Sequence, residues 1–290
     1  MHAKLSFSLL LLSCTALLVL SGCGPTGARN VPSAPAEPAT PEPAATSTPE
    51  PSPTPEPTPT PEPTPAFPPY EFGTPLEESD PVEDDSFFEH AAFLGDSRTE
   101  GLELFGGLEY GAFYWARGMS VFRADNEDYK LFEIDGEQFT LAGTMTQGHY
   151  DAIYIMIGVN ELGYPVESYE EGLAELVDKV VAAQPEAVVY LQIMPPLNDA
   201  MCRANKLAAY INNDNLKLFN EAVVRVAKEK RVVLLNTAEV YTGEDGQLPR
   251  DLANDGCHFA YSAYSLWSNY LRTHTIDPER YFYCRELETE

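Results

Sequence analysis

Three side chains have the types that acyl transfer needs: Ser97, Asp255 and His258. Asp255 and His258 lie three positions apart, which lets a carboxylate hold one ring nitrogen of the imidazole while the other nitrogen acts as a base. Ser97 follows a short apolar run, at a point where a strand would turn into a helix. A serine there also suits a simple helix N-cap, so its position alone leaves both interpretations open.

Two further residues could stabilise a developing negative charge. Gly118 follows a second apolar run, and a glycine lets the backbone approach a ligand closely. Asn160 follows a third run and can donate through its side-chain amide, as an oxyanion hole requires. Each residue is also common in ordinary turns, so neither is specific by itself.

The elements that must position these residues follow from hydrophobic periodicity. A hairpin is predicted around Asp135-Gly136, within residues 131–141. Apolar strands separated by helices are typical of a parallel sheet covered on both faces, with ligands bound beyond the carboxyl ends of the strands. The predicted strands are 91–94, 111–116, 151–157, 187–194 and 232–235, and the predicted helices are 98–105, 167–183, 213–229 and a last one at 260–273.

Taken together, these segments resemble the SGNH hydrolases, also called the GDSL esterases and lipases, over about residues 90–275. The resemblance implies a flavodoxin-like three-layer α/β/α fold with a five-stranded parallel sheet in the order 2-1-3-4-5, and no cofactor. It also implies a catalytic triad of Ser97, His258 and Asp255. The implied oxyanion hole is formed by Ser97, Gly118 and Asn160.

Two residues depart from the family's usual motifs. Arg98 stands where a leucine usually follows the serine, and Glu161 stands where an aspartate usually follows the asparagine. Neither change removes a catalytic group, so the departures leave the substrate more open than the activity. No Gly-x-Ser-x-Gly motif surrounds Ser97, which argues against an ordinary nucleophile elbow.

The chain begins like an exported bacterial lipoprotein. Residues 1–22 combine one lysine with a short apolar run, as secretory signals do. The run ends in Leu20-Ser21-Gly22-Cys23, which resembles a lipobox and predicts lipidation of Cys23. A diacylated cysteine is enough for stable anchoring, so the expected location is the cell membrane, facing outside the cytoplasm. Ordinary secretion and an uncleaved anchor are the alternatives.

A long proline-rich stalk is predicted to follow Cys23. Residues 24–86 contain 19 prolines, and proline can form neither helix interior nor sheet ladder. We therefore predict a lipidated, disordered stalk over residues 23–86 and a single folded domain over residues 87–290.

Composition limits the partners of this domain. The formal net charge of the chain is −27, which disfavours nucleic acid and anionic lipid surfaces. The charge could favour neutral or cationic substrates, or it could only provide solubility. Cys202, Cys257 and Cys284 form no CxxC pattern, although one disulfide among them is possible. Oligomeric state is left open.

A stalked esterase at the cell surface suggests an O-acetylated glycan as substrate. Aromatic residues near the predicted strand ends could stack on sugars or pack in the core. Acyl transfer to another hydroxyl by the same triad, and a non-catalytic glycan-binding module, remain alternatives. The aromatic residues in question are Tyr110, Tyr114, Trp115 and Tyr164.

Other polar residues are assigned no role in the chemistry. His90, His149 and His274 are interpreted as surface residues. Asp245, Asp251 and Asp255 lie close in sequence, but their spacing fits no EF-hand loop, so no metal site is predicted.

Overall fold

A computed structural model describes residues 67–287 of the chain. The predicted signal peptide, Cys23 and the stalk as far as residue 66 lie outside the described residues. The described strands are β1 (Ala91–Gly95), β2 (Ala112–Trp115), β3 (Phe132–Ile134), β4 (Glu137–Phe139), β5 (Ala152–Met156), β6 (Val188–Gln192) and β7 (Val233–Leu235). The described helices are α1 (Ser97–Phe105), α2 (Val166–Ala183), α3 (Asp199–Ala204), α4 (Asn213–Lys230), α5 (Tyr264–Thr273) and α6 (Pro278–Leu287).

The predicted sheet is confirmed in both direction and order. Five parallel strands lie in the order β2-β1-β5-β6-β7, which is 2-1-3-4-5 when the sheet strands are counted along the chain. The remaining two strands, β3 and β4, form the predicted antiparallel hairpin around Asp135 and Gly136. The order reverses at β1, so the loops after β2 and β5 lie on either side of the loop after β1.

A row of aromatic rings crosses the sheet and holds its strands in register. Phe93 of β1 pairs with Phe113 on one side and Tyr154 on the other, and Tyr154 pairs with Tyr190. The rings stack with centroids 4.6, 4.9 and 4.6 Å apart. A slip of one residue would turn these rings to the opposite face, so the row fixes which loop ends meet at the carboxyl edge.

Helices flank this sheet, as the apolar strands require. Helices α2 and α4 pack against each other through Tyr169 and Phe219, whose ring centroids are 4.7 Å apart. Helix α1 packs against α5. The apolar stripe predicted on α2 is the buried one, comprising Tyr169, Leu173, Leu176, Val177 and Val180.

Two helices were not anticipated from the sequence. Helix α3 has only six residues, too few for a periodic signal. Helix α6 follows the helix predicted to be the last one, so that prediction was wrong. Its start carries a recognisable signal, because Asp277 accepts a hydrogen bond from Arg280 N at 3.0 Å and Pro278 occupies the first helical position.

The folded chain also begins earlier than residue 87. We call residues 67–86 the N-terminal strap. Its side chains Tyr70, Phe72 and Leu76 are buried, and Leu76 N donates to Leu234 O of β7 at 2.8 Å. Prolines continue through the strap, but apolar side chains interrupt the Pro/Thr/Glu pattern and give it a surface to bury. The stalk boundary predicted at residue 86 is therefore about 20 residues too late on this structure.

Residues 70–76 of the strap lie along the outer edge of β7. Pro75 forms a parallel bridge with Leu234, and the Tyr70 hydroxyl accepts a hydrogen bond from Leu234 N at 2.9 Å. Covering an edge strand removes unpaired backbone groups that would otherwise invite another strand. Between residues 67 and 287, no helix has the length and apolar character needed to cross a bilayer.

Candidate active site

The turn after β1 presents Ser97 at the start of a helix. Asp96 is the N-cap of α1 and accepts a hydrogen bond from Arg98 N at 2.8 Å. The N-cap assignment considered for Ser97 therefore belongs to Asp96, and Ser97 is the first helical residue. A side chain at Gly95 would lie 2.1 Å from Thr99 Oγ1, so glycine is required for this close strand-to-helix turn.

Asp255 and His258 lie in a closed loop before α5. Asn254 N donates to His258 O at 2.8 Å, and Ala260 N donates to Leu252 O at 2.7 Å. Inside the loop, the Asp255 carboxylate accepts hydrogen bonds from the backbone N–H groups of Cys257 and His258, at 2.8 and 2.7 Å. The loop therefore fixes both the carboxylate and the imidazole before substrate arrives.

Ser97, His258 and Asp255 form a continuous hydrogen-bonded chain. The Ser97 hydroxyl lies 2.8 Å from His258 Nε2, and His258 Nδ1 lies 2.8 Å from Asp255 Oδ2. A carboxylate can only accept, so Nδ1 carries the proton and Nε2 accepts from the serine hydroxyl. Burial opposes ionisation of Asp255, but hydrogen bonds from the His258 side chain and backbone hold its pKa well below the ordinary value.

Arg98 faces inward and supports the histidine loop. Its Nε and Nη2 atoms donate to Cys257 O at 3.1 and 2.9 Å, and Nη1 donates to Pro195 O at 3.2 Å. Its guanidinium also lies over the Phe259 ring, 5.2 Å from the centroid. The side chain is buried, so this departure from the family motif links the serine turn to the histidine loop and does not face the cleft.

The loop after β2 carries Gly118 and is tied to the loop after β5. Gly118 has φ +72°, a left-handed conformation that favours glycine. The buried Glu161 carboxyl accepts a hydrogen bond from Val121 N at 2.7 Å and so joins the two loops. Burial raises the pKa of Glu161 to about 8, with the nearby charge of Asp96 acting in the same direction.

Asn160 lies beside the serine turn with its amide already engaged. Its Nδ2 atom donates to Met119 O at 2.9 Å and to Asp96 Oδ2 at 3.3 Å. To donate to a substrate oxyanion, the amide must give up or share one of these bonds, and the longer one to Asp96 is the weaker. Asp96 is buried, and burial raises its pKa, while the bond from Arg98 N opposes the rise.

The five predicted site residues meet at one cleft of about 530 Å³ or directly beneath it. Its walls are largely aromatic on the α1 and α5 side, where exposed Tyr261 stacks on Phe105 with ring centroids 4.4 Å apart. Asp255 supports His258 from behind. The lining residues are Ser97, Glu100, Gly101, Leu104, Phe105, Arg117, Gly118, Asn160, Asn254, His258, Phe259, Tyr261 and Tyr264.

The aromatic residues proposed from sequence mostly lie elsewhere. Tyr164 lines a neighbouring cavity. Tyr114 bonds through its hydroxyl to the Tyr150 hydroxyl at 2.7 Å, and the Trp115 indole donates to Glu103. Position near a strand end could not identify the aromatic lining, because Phe105 and Tyr261 belong to the end of α1 and the turn before α5.

The other histidines and the cysteines can now be assigned. His90 and His149 are exposed, as predicted. His274 is not a surface residue: it is buried, stacks on Tyr270 and bonds through Nδ1 to Tyr270 O at 2.9 Å. The possible disulfide is not formed, since each of the three cysteines in the described part of the chain is a buried thiol. No group of three or more His, Cys, Asp or Glu within residues 67–287 is arranged to hold a metal ion.

A five-stranded parallel sheet with a Ser–His–Asp arrangement at its carboxyl edge defines a hydrolase-type α/β domain. The chain belongs to the GDSL-like lipase/acylhydrolase family, whose sequence profile matches residues 93–266. No curated protein matches the sequence.

Solved structures resemble the chain in fold. A protein from Streptococcus pneumonia described as a platelet activating factor is 22% identical, with a TM-score of 0.50, over 63% of this chain and 82% of its own. A GDSL-like lipase from Bacteroides thetaiotaomicron is 15% identical, with a TM-score of 0.47, over 67% and 89%. An SGNH hydrolase from Slackia heliotrinireducens is 15% identical, with a TM-score of 0.48, over 64% and 97%.

Proposed function

We propose that this protein is an extracytoplasmic serine esterase that removes O-acetyl or other short acyl groups from a carbohydrate or cell-wall glycan. The observation that carries the proposal is the hydrogen-bonded chain from Ser97 through His258 to Asp255, with 2.8 Å at each step, opening into the cleft. A serine that was only a helix cap would not need an imidazole at its hydroxyl, and the cap here is Asp96.

The first half of the reaction forms an acyl-enzyme. The Ser97 hydroxyl oxygen attacks the ester carbonyl carbon while its proton passes to His258 Nε2. The ionised Asp255 stabilises the resulting imidazolium through Nδ1. When the tetrahedral intermediate collapses, the C–O bond to the alcohol breaks and the alcohol oxygen takes the proton from Nε2.

Negative charge on the carbonyl oxygen would be held by three donors. These are the backbone N–H groups of Ser97 and Gly118 and the amide of Asn160, which exchanges its long bond to Asp96 for the oxyanion. In the second half, His258 Nε2 takes a proton from water as the water oxygen attacks the acyl carbon. The bond between the acyl carbon and Ser97 Oγ then breaks, Oγ takes the proton from Nε2, and the acid is released.

One feature of the cleft and one of the chain support an ester of a sugar as the substrate. The exposed Tyr261–Phe105 pair offers an aromatic platform beside the serine, and amphipathic rings of this kind suit a substrate that is both apolar-faced and hydroxylated. The formal charge of −27 opposes dense polyanions such as nucleic acid, whereas a glycan that carries isolated carboxylates is compatible with it.

Membrane attachment is part of the proposal and rests on sequence. The apolar N-terminus ending in Leu20-Ser21-Gly22-Cys23 supports export and lipidation of Cys23, and the proline-rich segment supports a spacer between anchor and domain. Mass spectrometry of the membrane fraction tests it. An unmodified Cys23 or an intact Met1 end contradicts lipidation.

The decisive test of the esterase is Ser97→Ala. With 4-nitrophenyl acetate, we expect kcat to fall by about 10⁴-fold or more, because the variant lacks the nucleophile. A fluorophosphonate probe should label the wild-type chain at Ser97 and should not label the variant. His258→Ala should lose both activity and labelling, since serine is a weak nucleophile without a base.

The matched control is Ser265→Ala, which alters an exposed serine in the first turn of α5. This variant should hydrolyse 4-nitrophenyl acetate and be labelled by the probe like the wild type. If Ser97→Ala hydrolyses the ester at the wild-type rate, the esterase assignment is wrong and a glycan-binding module replaces it. If acetate release falls while acetylated acceptor sugars accumulate, the same triad performs acyl transfer.

A further inference from the structure

A second cavity adjoins the active-site cleft and shares part of its wall. Its volume is about 310 Å³, and both Gly118 and Asn160 line it as well as the cleft. Neither Ser97 nor His258 lines it. The leaving oxygen must take its proton from His258 Nε2, so the reacting ester lies in the cleft. The second cavity is therefore suited to a part of the substrate that does not react.

The walls of this cavity combine aromatic rings with polar groups. Phe122 and Tyr164 are both exposed large side chains, and their ring centroids are 5.1 Å apart. Ser120 and Asn126 add a hydroxyl and an amide to the lining. Exposed aromatic faces beside hydrogen-bonding groups suit a sugar ring, which has apolar faces and a hydroxylated rim.

The distinguishing residue of the cavity is Arg123. Its Nη1 atom donates to Gly118 O at 2.9 Å, and its guanidinium lies over the Tyr129 ring, 4.9 Å from the centroid. These contacts orient an exposed guanidinium at the cavity. In the part of the chain that the structure describes, Arg123 forms no ion pair, unlike Arg117 of the neighbouring cleft, which is paired with Glu100.

The Glu161 carboxyl, whose pKa is influenced by the charge of Arg123, does not neutralise it. Glu161 is buried, and its pKa of about 8 leaves it mostly protonated at pH 7. In a chain whose formal net charge is −27, a cation without an acidic partner next to the oxyanion hole is a localised attraction for an anion. Arginine binds carboxylates with charge-assisted, often bidentate hydrogen bonds.

We propose that this cavity binds a carboxylate-bearing sugar unit next to the acylated unit of the glycan, with the carboxylate contacting Arg123. The inference rests on the proposed esterase function and deepens it by naming the substrate class as an acidic, acylated glycan. Binding of a non-reacting unit would add transition-state stabilisation that a small aryl ester cannot use.

The test compares two mono-O-acetylated disaccharides at pH 7 that differ only in the second sugar, glucuronic acid or glucose. For the wild type, kcat/KM should favour the glucuronic acid compound by about fivefold or more, which corresponds to one partly exposed ion pair. Arg123→Gln should bring this ratio close to one. Because Arg123 also holds Gly118, only the ratio is interpreted, so that shared damage to the oxyanion hole cancels.

The matched control is Lys130→Gln, which removes an equal charge close in sequence from a residue that does not line the cavity. It should keep the wild-type ratio. A wild-type ratio near one, or a ratio that Arg123→Gln leaves intact, overturns the proposal. An enzyme that hydrolyses 4-nitrophenyl acetate but shows no preference refutes the acidic subsite and leaves the esterase standing.

Binding to the Ser97→Ala variant tests the acidic subsite independently of the esterase activity. Non-acetylated forms of the two disaccharides are titrated into this variant, which needs no catalysis to respond. Tighter binding of the glucuronic acid form, lost in Ser97→Ala/Arg123→Gln, supports the subsite even if no ester is hydrolysed. Equal binding of both forms, or none at millimolar concentration, rejects it.

Discussion

The two halves of the site are prepared to different degrees. In the triad half, Ser97 and Asp255 already contact the two ring nitrogens of His258 at 2.8 Å. In the oxyanion half, Asn160 donates instead to Asp96 and Met119. The proposed proton relay is therefore assembled before substrate arrives, whereas one proposed oxyanion donor must exchange a protein partner for the substrate.

The preformed triad and the oxyanion donor that changes partner should contribute to catalysis in different ways. A preformed relay supplies orientation, so its loss should reduce the reaction of every ester. A donor that changes partner only when charge develops contributes in the transition state and hardly at all in substrate binding, so its loss should lower kcat with little change in KM.

Asp255→Asn should give the largest effect within the triad half after loss of the nucleophile or base. An amide can donate to Nδ1 and hold the wrong tautomer, so we expect kcat on 4-nitrophenyl acetate to fall by about 10³- to 10⁴-fold. Asp251→Asn, which changes an exposed acid in the same loop region, is the control. A loss smaller than tenfold would mean that the loop alone orients His258.

Asn160→Ala should lower kcat by about 100-fold while KM changes little, because the backbone donors remain. Asn160→Asp keeps the size but lacks the amide donors and should be at least as damaging. Asn269→Ala, an exposed position on α5, provides the reference. If KM rises as much as kcat falls, Asn160 binds the ground state and the two halves of the site do not differ as described.

Arg98→Lys tests whether the triad half depends on a remote support. Lysine cannot reproduce the paired bonds to Cys257 O, so His258 should shift and kcat should fall by about 10- to 100-fold. Fluorophosphonate labelling of Ser97 should slow by the same factor, with KM unchanged. Arg272→Lys breaks a paired, partly buried interaction with Asp85 and should lower the melting temperature without slowing labelling. If Arg98→Lys and Arg272→Lys have the same effects on kcat and labelling, Arg98 has only a structural role.

Glu161→Gln should alter how stability depends on pH. The folded-state pKa of Glu161 is raised to about 8, so the folded protein binds more protons than the unfolded chain, and stability is lost as pH rises from about 5 toward 8. The neutral variant lacks this loss, which amounts to at most about 1.4 kcal/mol per pH unit. Denaturant unfolding at pH 5, 6.5 and 8 measures it, with exposed Glu175→Gln as control. Parallel pH curves for all three proteins would contradict the raised pKa.

The sequence predicted correctly those features that depend on residues close together in the chain. Apolar runs predicted the five strands of the sheet, and Asp135-Gly136 predicted the hairpin, because periodicity and turn residues act over a few positions. The resemblance to a family then supplied the strand order. Ser97, Asp255 and His258 were predicted to meet, and they do meet in the structure.

Contacts between distant positions could not be predicted in the same way. Arg98 reaches Cys257 across 159 positions, and nothing in either local sequence indicates that bond. The burial of His274 against Tyr270 and the packing of Tyr70 on β7 likewise depend on the tertiary fold and not on local sequence. In the strap, the many prolines predicted a disordered stalk, although Tyr70 and Phe72 are apolar residues of the kind that a folded segment buries.

The strap also determines where a mechanical load enters the domain. A pull applied before Phe67 acts first on the strap, where Tyr70 and Leu76 are bonded to Leu234 of β7. Tension would have to break these bonds before it reached β1, which follows the strap directly along the chain. As long as these bonds hold, a pull on the chain before the strap would be borne at the edge strand β7, and β1, whose end leads into Ser97, would carry none of it.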